Sequence, residues 1–447
     1  MVRGRRGARQ AGRTGVTTHM KELVEELYLT DRGFVTEDYQ CCIEYIDEHE
    51  LDLEFHTFES GTTIWDSWVV PQKWSVEEAY IATDGTRIVD YEQHPLHLIS
   101  YSAPFEGTVS RETLTEHVHT HEALEEAIPW HFRQNYRPWD NEWGFCASQR
   151  FVDSLDREEY YVNIDTSFSE GEMVVGEHHL PGRTDETIVL AAHLDHTGMA
   201  NDDLAGVAVG CELMRRLRDR EDRRYSYTFL VVQEIIGSAA YLATHPEAAE
   251  NFRWGVFLEM PGNDNRLLLQ QTFTGDTRLD DVAEYVLDQR VEDGAVAPFR
   301  DAIGNDELVF ESPGYEIPMI SVSRYPYPEY HTHLDAPDII SEARLEEHCS
   351  YVEAVIDVLE TDFVPERTFD GLPSLANPKY DLYLDPREID GTEERGLDAF
   401  RDRFFRYLDG SHTAFEIARE FGLEYEFVRD YLRDVVDAGL ATAQDPF

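Results

Sequence analysis

Lysine is nearly missing from this chain of 447 residues: Lys21, Lys73 and Lys379 are the whole supply. Lysine and arginine together number 38 against 90 aspartates and glutamates, a formal net charge of −52. That imbalance argues against nucleic acid or an anionic membrane as a partner, because both repel a surface of their own sign. The acid is spread along the chain and not gathered in a tail, so it reads as a solvated acidic shell suited to a halophilic cytoplasm. Cysteine is also scarce. Cys41, Cys42, Cys146, Cys211 and Cys349 make an odd count without a CxxC pair. This argues against a disulfide framework and a structural cysteine–zinc site, and it fits a reducing, cytoplasmic compartment. No apolar run approaches the ~18 residues of a membrane-crossing helix. The N-terminal VRGRRGARQAGRTG is basic, but no apolar stretch follows it. It does not read as a signal peptide, and residues 1–18 are expected to form a disordered head.

What is present is a globular composition, 42% hydrophobic and 12% aromatic, with length for two or three domains. The chain is organised around TIVLAAHLDHTGMANDDLAGVAVGCEL, residues 187–213. Its apolar run, 188–192, is short and rich in β-branched residues, as a fully buried parallel strand requires. A polar loop follows with His193, Asp195, His196, Asn201, Asp202 and Asp203. The small residues of 204–213 then suit a helix packed close on a sheet. Strand, polar loop and helix make half of a βαβ unit, and in open α/β sheets sites lie beyond the carboxyl ends of strands. Further buried strands are expected at 228–233, 254–260 and 319–326, with helices between and after them. The expected fold class is α/β, with a mostly parallel, doubly wound sheet.

Residues 19–50 read as helices broken at DRGF, and they belong with 134–365 to this α/β domain. Between them, 51–133 reads as an inserted β-rich module. Asp84-Gly85 between two alternating runs signals a hairpin. Residues 111–133 return to helical texture. His117, His119 and His121 would not share one face of that helix, so they read as surface residues. Two strands joined by SEGE follow before residue 180. After Pro365 a Pro- and Gly-marked linker, 366–394, leads to 395–447, a helix–turn–helix pattern expected to form a winged-helix-like domain. Its second helix carries Arg429 and Arg433 among Glu424, Glu426, Asp430, Asp434 and Asp437. So acidic a helix would repel phosphate, which favours a structural or protein-contact use.

Each expected strand ends in a polar residue: His193, then Gln233-Glu234, then Glu259, then the run Tyr330-His331-Thr332-His333-Leu334-Asp335. With Asp202 from the first loop, His193, Glu234, Glu259 and His331 put two imidazoles and three carboxylates along one sheet edge. Such a set holds one or two zinc ions, two of them sitting about 3.5–4 Å apart with Asp202 between them. Paired metals bind the amine and carbonyl of a substrate, which points to a peptide or a small amine-bearing molecule.

With MANDDLAG, QEIIGS, SPGYEIP and PEYHTHLD in place, and with SGTTIWDSWVVPQKWSVEEAYI as an insertion, the chain resembles the M28 co-catalytic zinc aminopeptidases. It resembles more closely the aminopeptidase-like proteins of the DUF4910/DUF2172 type, which add an inserted β module and a C-terminal winged helix. The resemblance covers about residues 20–440. It implies His193, Asp202 and Glu259 on one metal and Asp202, Glu234 and His331 on the other, with Asp195 orienting His193. M28 enzymes carry adjacent glutamates, the first a general base and the second a ligand. Here the pair is Gln233-Glu234, and glutamine cannot take a proton. Glu234 as base, Glu307 of GNDELVF as its substitute, and loss of hydrolysis all stay open, and His196 is an alternative ligand. Three functions follow from this reading: a zinc-dependent exopeptidase or amidase, a metal- or ligand-binding regulatory protein, and a single-zinc relative that cyclises glutaminyl ends. Self-association is compatible with each.

Overall fold

The computed structural model describes residues 20–384 and 394–446. The head expected at 1–18 and residues 385–393 of the expected linker lie outside the described residues.

Eight strands form the central sheet: β1 (Glu54–Glu59), β2 (Glu172–Leu180), β3 (Thr187–His193), β4 (Ser226–Val232), β5 (Phe252–Leu258), β6 (Leu268–Gln270), β7 (Ala295–Ala297) and β8 (Met319–Ser323). Their spatial order is β1-β2-β4-β3-β5-β8-β6-β7. The middle strands β4, β3, β5 and β8 run parallel. β1 against β2, β2 against β4 and β6 against β8 are antiparallel. The sheet is therefore mixed, and the expectation of a mostly parallel sheet holds only for its centre. Every residue of β3 and β4 is buried, which is why these strands read as unbroken apolar runs. β1 is exposed along most of its length and sends no such signal.

Helices Met20–Leu27, Leu204–Asp219, Arg278–Arg290 and Glu342–Thr361 cover one face of the sheet, and Ile236–Thr244 with Glu307–Phe310 covers the other. The first contact is close because Leu204–Asp219 carries glycine where it crosses the sheet. A Cβ on Gly210 would lie 2.2 Å from the ring of Phe229, and one on Gly206 would lie 2.5 Å from the Leu258 carbonyl.

A second, antiparallel sheet orders Thr86–Asp90, Lys73–Thr83, Glu159–Ser169 and Phe105–Ser110 over its own core. The hairpin at Asp84-Gly85 forms, both residues taking positive φ (48° and 76°). The sheets do not respect the boundaries 51–133: β1 joins the central sheet, and Glu159–Ser169 joins the second one. The two strands around SEGE thus lie in different sheets. The helix expected over 111–133 is confined to Arg111–Glu116. Val118–His119 then pairs with Phe145–Cys146, a partner remote in sequence that overrides local helical texture. His117 stacks on Trp143 and His119 on His131, each with ring centroids 3.8 Å apart, so neither is a free surface residue.

At the C-terminal end, Glu394–Arg403, Ala414–Phe421 and Tyr425–Asp437 pack as helices, and Ala441–Gln444 pairs antiparallel with Val364–Arg367. Their apolar residues continue the core beneath the central sheet. Tyr285 donates to the Leu423 carbonyl across the junction at 2.7 Å.

His348, on Glu342–Thr361, is fully buried and neither ring nitrogen has a hydrogen-bond partner. Burial, aided by Arg324, pushes its pKa down to about 3. The folded pKa lies below the unfolded value of about 6.5, so the fold prefers the neutral ring. This contribution is complete above pH ~6.5 and is lost as pH falls toward 3, at up to about 1.4 kcal/mol per pH unit. His348→Leu is expected to flatten the acid limb of the stability profile. Thermal melts of both proteins at pH 7 and pH 5 check it; equal losses in the two proteins refute it.

Candidate metal centre

The parallel strands deliver their carboxyl ends to one edge. β3 ends in His193 itself, β4 runs into Gln233-Glu234, and β5 runs into Glu259. Leu194 N–H bonds the Val232 carbonyl at 2.9 Å and Glu259 N–H bonds the Val322 carbonyl at 3.0 Å, so the ladders fix where each polar side chain emerges. Asp203 caps Leu204–Asp219, its carboxylate accepting the N–H groups of Gly206 (3.1 Å) and Met260 (3.0 Å). The peptide before it, Asp202–Asp203, is cis.

Asp202 is the centre. Its Oδ1 lies 3.3 Å from His193 Nε2 and 3.0 Å from His196 Nδ1, and its Oδ2 lies 3.1 Å from His331 Nε2. None of these contacts has hydrogen-bond geometry: both nitrogens of His193, Nδ1 of His196, Nε2 of His331 and Oδ2 of Asp202 are buried without a hydrogen-bond partner. Lone-pair atoms crowded together without donating to one another are what a shared cation demands. His193, His196 and Asp202 offer ligand atoms within 4.8 Å of one another, and so do Asp195, His196 and Glu234. Burial opposes the charge on Asp202, but the imidazoles around it outweigh burial and hold its carboxyl well below the usual range. Imidazole with carboxylate is a donor set that zinc accepts.

The backbone around this cluster is held in sparsely populated conformations. His196 (φ 86°), Ile235 (64°), Met260 (44°) and His331 (55°) all lie in the left-handed region, and such positions concentrate at functional sites. Asp335 secures the loop before Asp202: it accepts Asn201 N–H at 2.6 Å, Asp202 N–H at 3.2 Å and the Tyr327 hydroxyl at 2.6 Å. Arg32 secures the loop from beneath. Its side chain is fully buried and donates to the carbonyls of Leu194 (2.8 Å), His196 (2.7 Å) and Met199 (2.7 Å).

Of the five expected ligands, His193, Asp202, Glu234 and His331 gather here, and His196 joins them. Glu259 is tied up otherwise, accepting from the Asn305 amide and from Ser321 Oγ at 3.4 Å. Burial first, then the charges of Asp202 and Glu307, push its pKa well above the carboxylate range. Glu307 does not reach the imidazoles. Its oxygens accept Asn305 N–H at 3.0 and 2.9 Å and approach Arg300 and Gln270 at 3.4 Å. Burial raises its pKa to about 7. Gln233 faces away from the site, its amide donating to the carbonyls of Phe34 and Val174 at 3.1 Å each. It therefore does not stand in a base position. Glu234 turns inward, with Oε2 3.3 Å from His196 Nε2 and accepting from the Tyr136 hydroxyl.

Tyr136, Trp130 and Phe132 are site residues that motif reading missed. Trp130 sets its ring edge-on to His196 and His331, at 4.1 and 5.0 Å between centroids, and its backbone N–H bonds the His331 carbonyl at 2.8 Å. The signal available was aromatic density in WHFRQNYRPW, residues 130–139.

Residues 21–362 match a family described as a domain of unknown function, DUF4910. A Clostridium acetobutylicum protein, provisionally named for polysaccharide biosynthesis with an aminopeptidase-like domain, is 30% identical over 419 residues, 91% of this chain and 92% of that one. The crystal structure of a provisionally named peptidase from Clostridium acetobutylicum matches with a TM-score of 0.83 at 27% identity, over 95% of this chain and 96% of that one. A zinc aminopeptidase from Bacillus subtilis has a TM-score of 0.55 and an M28 peptidase precursor from Shewanella amazonensis one of 0.54. Each is 14% identical over 76% of this chain and 93% of its own, which shows the fold alone. The chain belongs to the DUF4910 family and carries the M28 peptidase-like fold.

Proposed function

We propose that this protein is a zinc-dependent, aminopeptidase-like hydrolase that removes an N-terminal residue or cleaves an amide next to a free amine. The convergence of three imidazoles on one buried carboxylate, Asp202, without hydrogen bonds among them, carries this reading. His193, His196, Asp202 and His331 would hold the metal, one ion or two, with the Glu234 carboxylate turned toward it. Zinc in this setting supplies Lewis acidity to an amide carbonyl and to water. Glu234, oriented by Tyr136, would take the proton from the attacking water and return it to the departing amine. Asp195 positions both sides: its carboxylate accepts Glu234 N–H at 2.8 Å and lies 3.7 Å from His193 Nδ1. Glu307 would act through Asn305 on Glu259, the remaining ligand that the family resemblance implies. The acid gathered at this edge suits a substrate ammonium. The C-terminal helices and strand pair fit a winged-helix arrangement used for protein contact, and the charge fits a halophilic cytoplasm.

Full-length protein in high salt is expected to hydrolyse aminoacyl p-nitroanilides and dipeptides, to lose that activity to a chelator and to regain it with added zinc. N-acetylated substrates should resist. Zinc-loaded protein inert on every free-amine substrate, or activity indifferent to the chelator, overturns the reading in favour of a binding protein.

A further inference from the structure

Two neighbouring cavities share part of their walls, and Tyr136 lines one of them. One, of about 240 Å³, runs under the hairpin strand Trp68–Val69 and is walled by Gln134, Tyr101 and Phe168. The other, of about 300 Å³, is walled by Trp68, Asn135, Tyr136 and Ile236. Val69, Pro138 and Trp139 form walls of both.

Gln134 is 1% exposed and Asn135 3%, yet both amide atoms of Gln134 and the Oδ1 of Asn135 have no hydrogen-bond partner. Buried carboxamides in that state lose free energy unless a ligand supplies what is missing. Trp139, on the shared rim, leaves 68% of its surface exposed. A large indole so open to water beside a cavity marks a contact surface.

The unmet groups define the ligand. A carboxamide needs both an acceptor for its NH₂ and a donor for its oxygen. A carboxylate or phosphate only accepts, and Asp140, whose carboxylate lies 3.7 Å from Arg137, already engages the nearby cation. An ammonium only donates. An aliphatic or aromatic side chain does neither. Amides and hydroxyl groups do both, and of the two a hydroxyl-bearing ring also presents an apolar C–H face to indole and phenol rings.

We propose that these adjacent cavities form a subsite for a neutral sugar ring, so that the substrate is an amide joined to a sugar. The proposal rests on Glu234 marking the reacting centre, since Tyr136 and Ile236 link the cavity wall to it. Gln134 and Asn135 bond the hydroxyls, and Trp139 and Trp68 cover the ring faces.

The test is calorimetric titration of full-length, zinc-loaded protein with methyl galactoside, methyl mannoside and N-acetylglucosamine, and with toluene as an apolar ring. At least one sugar should bind saturably. Gln134→Leu should weaken it tenfold or more while leaving toluene at least as well bound. Trp139→Ala, at an exposed position where folding is not at stake, should weaken the sugar by a similar factor. No binding of any of the three sugars, or sugar affinity unchanged in Trp139→Ala, overturns the subsite. Hydrolysis of aminoacyl nitroanilides is scored separately. Active protein that binds no sugar loses the subsite alone, whereas inert protein that binds sugar through Trp139 loses the hydrolase reading and keeps the subsite.

Discussion

Replacing Asp202 with alanine is expected to strip the protein of bound metal and of amide hydrolysis together. Its two oxygens meet His193, His196 and His331 all within 3.3 Å. Groups that merely support a ligand cost roughly 10–100-fold in metal affinity when removed, and a carboxylate placed among all of them should cost more. Activity should fall by at least the ~10²–10⁴-fold that a well-placed acid–base group supplies. Glu259→Ala removes a carboxylate at the margin, held by Asn305 and Ser321, so it should lose no more than one ion. Elemental analysis of the two purified variants decides the matter. An Asp202→Ala protein that retains its full metal complement refutes the central place given to this residue.

The second large effect is expected at Glu234. Glu234→Gln keeps the shape of the side chain and leaves an amide oxygen to accept from Tyr136, but it cannot take up a proton. kcat should fall by about 10²–10⁴-fold with KM and metal content little changed. Steady-state kinetics beside elemental analysis separates the two roles open to this residue. If metal content falls in step with kcat, Glu234 is chiefly a ligand and the proton is handled elsewhere. The carboxylate is well placed for the base role because Tyr136 fixes one side of it, while Asp195 holds its backbone N–H at 2.8 Å.

The contrast between Gln233 and Glu234 shows where sequence reading stops. Two adjacent polar residues at a strand end project to opposite sides, and a motif does not reveal which of them faces the site. The structure does, by sending the Gln233 amide to the carbonyls of Phe34 and Val174. The buried strands were legible because a parallel strand covered on both faces must be apolar at every position. β3 and β4, with His193 and Glu234 at their ends, were therefore found from composition and order alone. β1 was not, because it pairs at the rim of the sheet with most of its residues exposed. Its membership depends on β2, more than a hundred residues later. The aromatic lining from Trp130 to Tyr136 escaped for a related reason. Nothing local tells that this stretch crosses to the strand ends, and the contacts that bring it there, such as Trp130 N–H to the His331 carbonyl, are remote in sequence.

Arg32 grips the ligand loop by its carbonyls, at Leu194, His196 and Met199, and not by its side chains. Mutational tolerance is therefore distributed unevenly. Substitutions at Leu194 and Met199 leave the clamp's acceptors in place, so these positions are constrained by the fit of their buried side chains and not by the clamp. The arginine has no such freedom: lysine offers a single nitrogen where a planar fork now spans three carbonyls of the loop and two more at Leu27 and Tyr28. Selection on the loop's geometry thus falls on a residue about 160 positions before it, outside every motif that identifies the site.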